Sequence, residues 1–279
     1  MNTFFLDRLN SEPHALAFAG QSTPWPVTLA DQSANPVLNE ALHTHADAAQ
    51  ALLYPVSADL LATTGRPVDL FGFEPNPARL GAAAAASASV PGIALAQLGA
   101  LLDAASLGYN PAVAKPVAVL GHSQGVLAVH MVQAIVEAGS IEAASAQIDE
   151  ILAIATLIGV AGTRQARQLG LAARHGEATP MLSVKDITRA QVDALIKRVS
   201  GARGPIAVAV TNSATHYVLS GYPEDLAAFG VEVAKEHKHQ AKLREEKVRG
   251  GRVFEPVLEY LDVTLPFHSP LMAEAVSQA

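Results

Sequence analysis

The sequence predicts an α/β protein that combines a helix-covered parallel sheet with a smaller inserted subdomain. In the first half of the chain, short buried apolar runs alternate with helical patterns, which is typical of a parallel sheet covered on both faces. After Gly176 the order changes to strand, helix, strand, strand, helix, strand. With 279 residues, half of them apolar, the chain is long enough to bury a core in each part.

The first part is expected to contain two buried strands and several helices. An apolar run at residues 15–19 predicts a strand that leads into the loop Gly20-Gln21-Ser22, and a second run predicts a strand at 117–120. Helical patterns lie at 36–53, 56–61, 93–106, 126–137 and 141–159.

The longest uncharged stretch, residues 80–102, is the place where a membrane span has to be considered. Glycine, serine, Pro91 and many alanines dilute its hydropathy, so its transfer into a bilayer would be poor. We expect a buried helix that breaks at Pro91 and no contact with a membrane.

The second part has the element order of a split βαβ unit. Strands are predicted at 181–184, 206–210, 217–220 and 257–265, with 217–220 antiparallel to 206–210, and helices at 188–199 and 223–235. Thr188 with Gln191 three residues later is a capping box for the first helix. We therefore assign 179–265 to a ferredoxin-like subdomain and 1–178 with 266–279 to the core domain.

Gly121-His122-Ser123-Gln124-Gly125 is the strongest chemical signal in the chain. It follows the predicted strand and precedes an amphipathic helix, so it fits the strand-turn-helix context of a G-x-S-x-G nucleophile elbow. Such a turn forces the serine into a strained, exposed conformation with its Oγ towards substrate. Ser123 is the predicted nucleophile.

A serine nucleophile needs a base within hydrogen-bond reach, and ten histidines compete for that role. His43, His45, His237 and His239 lie in polar surroundings and are predicted to be solvated, and His122 should point away from Ser123. His268 differs because Pro266-Phe267-His268-Ser269-Pro270 is a proline-bounded loop directly after the last predicted strand. Position alone leaves both a structural role and a role as base open for His268.

Three separated segments carry a family resemblance: Gly20-Gln21-Ser22, the elbow, and Phe267-His268-Ser269. In that order they resemble the acyltransferases of fatty acid and polyketide synthesis, although Ser22 stands where a second glycine is usual. The Gln124 form of the elbow, segment 212–221 and strand 181–183 look most like the acetyltransferase domain of fungal and actinobacterial type I fatty acid synthases.

The resemblance implies an α/β-hydrolase-like core and a ping-pong acyl transfer. Ser123 would attack an acyl thioester, His268 would act as the base, and the backbone N–H groups of Gln21 and Gln124 would form the oxyanion hole. The implied partners are acetyl-CoA, an acyl carrier protein and the other domains of a fatty acid synthase. Coenzyme A and phosphopantetheine would serve as acyl carriers, with no permanently bound cofactor. The implied orienter of the histidine is a backbone carbonyl, expected beyond residue 279.

The resemblance also bears on the acyl group. Malonyl-selective relatives hold the free carboxylate with the arginine of an Arg-Gly pair, and Ile158-Gly159 stands at the matching position. Burying a carboxylate without a cation costs roughly several kcal/mol, which favours an uncharged group, most simply acetyl. Arg164 lies nearby along the chain and is the alternative cation. Asn212 lies where relatives line the substrate cleft, and His122 completes the predicted substrate-binding set.

Composition excludes several other classes of function. A formal charge of −7 disfavours nucleic-acid binding, and the mixed run 235–252 is expected to be a solvated helix face or loop. With no cysteine there is neither a disulfide nor a thiolate nucleophile, and no zinc, P-loop or dinucleotide motif occurs. The first twelve residues carry charges rather than a signal-peptide core, so a cytoplasmic location is expected.

Three alternatives remain open at this stage. A malonyl or other acyl transferase would use the same residues, and a serine esterase or thioesterase would share the elbow. An idle scaffold domain of a multienzyme is a third possibility, although an intact serine, histidine and elbow argue against it.

Overall fold

The computed structural model describes residues 8–20, 24–53, 70–71, 86–171, 178–199, 204–245 and 254–278. Contacts divide the chain into two compact units, Met1–Thr163 with Ala279 and Arg164–Gln278. The division differs from the predicted domain boundaries, because the last helical turn before residue 169 and the segment 266–278 fall in the second unit. The predicted helix at 56–61 lies outside the described residues.

The first unit holds a short parallel sheet and its helices. Its strands are β1 (Ala15–Phe18) and β2 (Ala118–Gly121), which pair in parallel with Phe18 opposite Gly121. The helices are α1 (Trp25–Ser33), α2 (Pro36–Leu53), α3 (Ala86–Ser106), α4 (Pro111–Ala114), α5 (Val126–Ala138) and α6 (Ser145–Gln168), of which the last continues into the second unit. Both predicted strands, and the predicted helices at 36–53 and 126–137, are confirmed.

Helix α3 runs through Pro91, so the predicted break at that residue is wrong. Every residue from Ala86 to Gly99 is buried, and Gly92 packs so closely on Trp25 that a Cβ atom there would lie 2.5 Å from the indole ring. A proline inside a helix costs about 3 kcal/mol, and burial of a mostly apolar turn on all sides offsets that cost. The helix is apolar enough to cross a membrane by composition, but 72% of its apolar window is buried inside the protein.

The second unit is a four-stranded antiparallel sheet with the strand order β4-β5-β3-β6. Its elements are β3 (Met181–Lys185), α7 (Arg189–Val199), β4 (Ala207–Ser213), β5 (His216–Ser220), α8 (Pro223–Glu245) and β6 (Val257–Tyr260), followed by the short α9 (Ala273–Gln278). The predicted ferredoxin-like order is confirmed, and β4 pairs antiparallel with β5 as expected.

The capping box at the start of α7 is also confirmed. Thr188 N donates to Gln191 Oε1 at 2.9 Å, and Gln191 N donates to Thr188 Oγ1 at 3.4 Å. Helix α8 continues ten residues past its predicted end at residue 235, and Lys238, Lys242 and Arg244 are exposed on this added length.

The last strand is shorter than the predicted 257–265. It ends at Tyr260, and the chain then turns, with Val263 N donating to Leu261 O at 2.8 Å. The apolar spacing of Val263 and Leu265 therefore reflects burial of a loop rather than a continuing strand.

The two faces of this sheet are used differently. One face, with Leu182 and Val184, packs against α7 and α8 to form the main core of the unit. The opposite face carries Met181 and Val218, and Phe267 from the loop after β6 packs against them. The backbone immediately before His268 is thus fixed to the outer face of the sheet.

Candidate active site

Ser123 lies in a strained turn between β2 and α5. Its φ is +51°, in the left-handed region, and a short 3-10 turn over Ser123–Gly125 leads directly into the helix. His122 N donates to Phe18 O of the neighbouring strand at 2.9 Å, which fixes the approach to the turn. The predicted strand, sharp turn and helix are all present, and Ser123 is half-buried at their junction.

The two glycines of the elbow are required by close backbone approach. A Cβ atom at Gly125 would overlap with Phe18 O, and one at Gly121 would lie 2.5 Å from the carbonyl carbon of Gly125. Gly125 has an ordinary helical φ of −55°, so space rather than conformational freedom excludes a side chain there. The G-x-S-x-G spacing therefore allows the turn to fold tightly against the end of β1.

The chain after β1 passes directly beside the elbow. A Cβ atom at Gly20 would lie 2.7 Å from His122 O and 3.1 Å from Ser123 Cβ, so only a glycine allows this approach. The structure therefore brings the start of the Gly20-Gln21-Ser22 loop to the predicted nucleophile. Gln21 itself, the first predicted oxyanion-hole residue, lies outside the described residues.

The side chain of Gln124 is committed to a structural contact. Its Nε2 donates to Val90 O of α3 at 2.5 Å, and this bond ties the elbow to the buried helix. That leaves the predicted oxyanion role to the backbone N–H of Gln124, as the resemblance implied. His122 is exposed, with its ring near Gly20.

Ile158 and Gly159 lie on α6 in the same unit. Gly159 is buried, and a Cβ atom there would overlap with Ala86 O at the start of α3. The close approach of α6 to α3 therefore explains why glycine occupies this position. Ile158 is half-buried.

His268 lies in the second unit and has an unusual backbone conformation. Its φ is +56°, and its side chain is exposed. The loop around it is held on both sides, because Ser269 Oγ donates to Pro266 O at 2.6 Å and Met272 N donates to Ser269 O at 3.0 Å. A non-glycine residue in the left-handed region costs about 1–3 kcal/mol and persists only when its surroundings impose it.

Among the described residues, four non-glycine residues have positive φ: Lys115, Ser123, Asp186 and His268. Two of these four are the predicted nucleophile and base. Backbone strain concentrates at catalytic and ligand-binding positions, so this coincidence favours a functional role for both residues.

Asn212 is part of a polar cluster that sequence reasoning missed. His216 Nε2 lies 3.1 Å from Ser183 Oγ and 3.4 Å from Asn212 Nδ2, so this ring nitrogen is within hydrogen-bond distance of both side chains. Ser183 lies two residues along β3 from Met181, on the same outer face of the sheet as Phe267. Ser183, a polar residue within the apolar run at 181–184, is the signal in the sequence that points to this cluster.

Of the four histidines predicted to be solvated, His45 is buried and His237 is half-buried. His45 is 8% exposed, and its Nδ1 lies 2.5 Å from Asp149 Oδ1 on α6, while His237 Nδ1 donates to Phe254 O at 2.6 Å. His43 and His239 are exposed as predicted. His45 and His237 are thus structural residues, and His268 stays the candidate base.

Residues 180–260 match the family described as the fatty acid synthase central AT domain. The predicted resemblance to a fatty acid synthase acyltransferase domain is confirmed. This acyltransferase-like chain is also 27% identical over 169 residues to the fatty acid synthase beta subunit hexB of Dothistroma septosporum. That alignment covers 56% of the chain and 9% of the subunit, so the chain spans less than a tenth of that relative.

Solved structures share the fold. MCAT from Mycobacterium tuberculosis matches with a TM-score of 0.58 and 20% identity over 96% of this chain and 68% of that one. The malonyl CoA-acyl carrier protein transacylase from Coxiella burnetii gives a TM-score of 0.56 and 19% identity, over 95% and 66% of the two chains. The acyltransferase domain from the second module of the salinomycin polyketide synthase gives 0.52 and 22%, over 95% and 48%. The predicted fold class is confirmed.

Proposed function

We propose that the chain is an acyltransferase that moves an acyl group from coenzyme A to the phosphopantetheine of an acyl carrier protein during fatty acid synthesis. The observation that carries the proposal is the strained backbone of Ser123 and His268, two residues that the G-H-S-x-G elbow and the F-H-S loop single out from sequence alone. Similarity to fatty acid synthase and transacylase proteins supports the same class of reaction.

The reaction proceeds in two half-steps. His268 removes the proton of Ser123 Oγ while the oxygen attacks the thioester carbon, and the resulting oxyanion accepts hydrogen bonds from the backbone N–H groups of Gln21 and Gln124. The C–S bond then breaks, and the departing thiolate takes the proton from the imidazolium. In the second half-step His268 takes the proton of the incoming thiol, the thiolate attacks the acyl-serine, and Ser123 Oγ recovers the proton. Each oxyanion donor contributes on the order of 3 kcal/mol.

Acetyl is the acyl group that the residues favour. Ile158, at the position of the carboxylate-binding arginine in malonyl-selective relatives, is a half-buried apolar side chain. A malonyl carboxylate placed against Ile158 would lose part of its hydration, and the isoleucine side chain offers no opposite charge in return. The buried contact of Gly159 with Ala86 fixes this turn of α6, so Ile158 holds a defined place rather than a mobile one.

Loading with radiolabelled acetyl-CoA tests the proposal. We expect an acetyl-Ser123 that is stable in water and discharges rapidly to pantetheine, and malonyl-CoA that loads at least about tenfold more slowly because its carboxylate is desolvated without a partner. Ile158→Arg is the matched variant, and it should raise the ratio of malonyl to acetyl loading.

The alternatives give different results in the same experiment. Rapid hydrolysis without preference for a thiol would identify an esterase, and preferred loading of malonyl would refute the role given to Ile158. Absence of any acyl-enzyme would leave the scaffold as the better interpretation.

The Ser183–His216–Asn212 cluster is a proposed contact for the pantetheine arm. The Asn212 side chain is exposed, and its amide group carries both a hydrogen-bond donor and an acceptor. A secondary amide of pantetheine has the complementary pair of groups. The cluster shares the outer face of the sheet with Phe267, the neighbour of His268, so an arm bound there would lie beside the histidine loop.

Asn212→Ala and His216→Ala should each raise KM for pantetheine about fivefold, because one net hydrogen bond is worth about 1 kcal/mol. The kcat value should change little. Loading from p-nitrophenyl acetate, which lacks the arm, should be unaffected, and Lys185→Ala on the same sheet serves as the control. Equal losses in transfer to pantetheine and in loading from p-nitrophenyl acetate would assign the cluster to folding instead.

The remaining assignments are proposals of the same kind. An acyl carrier protein and the other domains of a fatty acid synthase are the proposed partners, coenzyme A and phosphopantetheine the proposed carriers, and the cytoplasm the proposed location.

A further inference from the structure

Three glutamines share an unusual arrangement: each donates its Nε2 to a distant backbone carbonyl while its buried Oε1 has no partner among the described residues. The pairs are Gln32 with Ala96 O at 2.9 Å, Gln97 with Ala19 O at 2.7 Å, and Gln165 with Leu271 O at 3.1 Å.

Gln97 holds the backbone that leads to the nucleophile. It is 9% exposed on α3, and the carbonyl that it binds belongs to Ala19, directly before Gly20. Gly20 in turn borders Ser123, since the space that a side chain at Gly20 would need is taken by His122 O and Ser123 Cβ. The amide of Gln97 therefore fixes the peptide from which the predicted oxyanion loop departs.

Gln165 holds the other loop in the second unit. It is 6% exposed on α6, and Leu271, whose carbonyl it binds, lies three residues after His268. Together with the Ser269–Pro266 hydrogen bond, this contact restrains the part of the loop that follows His268. The chain is thus restrained both before His268, at Phe267, and after it, at Leu271.

We propose that Gln97 and Gln165 are positioning residues, which hold the Ala19 peptide beside Ser123 and the histidine loop in their reactive geometry, whereas Gln32 is purely structural. The inference rests on the proposed function. Gln32 makes the same kind of bond from α1 to α3 and packs over Gly99, but its carbonyl partner borders neither loop. Gln32 is therefore the matched control for Gln97 and Gln165.

The experiment compares Gln97→Met, Gln165→Met and Gln32→Met, in which the side-chain length is kept and the donor is lost. Labelling of Ser123 by a fluorophosphonate reports the nucleophile, base and oxyanion hole without any acyl-CoA. We expect labelling and acetyl loading to slow about 10- to 100-fold for the first two variants, since small misplacement of a reacting group has effects of this size. KM for acetyl-CoA should stay within about threefold, and Gln32→Met should label at the wild-type rate.

Thermal melting measured on all three variants separates positioning from folding. Similar melting with unequal labelling supports the inference, whereas equal loss of labelling in all three variants, or none in Gln97→Met and Gln165→Met, overturns it. If Gln97→Met does not fold, Gln97→Asn replaces it, because the shorter amide keeps the polarity but cannot reach Ala19 O. A wild-type protein that labels but does not transfer acetyl would refute the proposed function and leave the positioning test intact.

Discussion

Ser123→Ala should abolish acyl-enzyme formation and lower acyl transfer at least about 10⁴-fold, because loss of a serine nucleophile removes the covalent pathway altogether. The substitution removes one oxygen from a half-buried side chain at φ +51° and adds no volume. Alanine meets the same backbone strain as serine at this position. The free energy of unfolding should therefore change by less than about 1 kcal/mol, and the loss of activity should not come from unfolding.

The measurement is mass spectrometry of the intact protein after incubation with acetyl-CoA, together with the rate of transfer to pantetheine. Ser106→Ala is the matched control, because Ser106 is an exposed serine whose hydroxyl donates to Asp103 O on α3. It should load as the wild type does. An acetylated Ser123→Ala protein would show that another residue carries the acyl group, and unchanged synthase activity would favour the scaffold.

The parts of the fold that the sequence predicts are those set by local patterns. The elbow was predictable because Gly121 and Gly125 mark a close approach that no other residue allows. The split βαβ unit was predictable because each of its elements has its own apolar period. The predictions are wrong where contacts between residues distant in the sequence determine the structure. Pro91 stays helical in a turn that packs on Trp25, and His45 is buried because it meets Asp149, which lies 104 residues away.

The site was predictable only in part for the same reason. Ser123 and His268 lie in short motifs that can be read along the chain, and their strained backbones agree with that interpretation. Ser183 and His216 come together through strand pairing across 33 residues, and Gln97 reaches Ala19 across 78. Contacts of this kind depend on register and helix packing, which a single sequence does not specify.

His268→Ala should slow acylation of Ser123 about 10³-fold, because a positioned general base contributes roughly 10²- to 10⁴-fold. His268 is exposed, so its removal leaves no cavity, and the hydrogen bond from Ser269 Oγ to Pro266 O remains to hold the loop. In the proposed mechanism the step lost is proton removal from Ser123 Oγ, which a small base in solution can supply in part.

Added imidazole should therefore restore a measurable fraction of the acylation rate in His268→Ala and none in Ser123→Ala. Two controls isolate the base. Asp186→Ala makes the same substitution at another exposed residue with positive φ in the second unit, and His239→Ala removes an exposed histidine from α8. Both should load acetyl at the wild-type rate. A loss in Asp186→Ala as large as that in His268→Ala, or a loss that imidazole does not relieve, would mean that His268 shapes its loop without moving the proton.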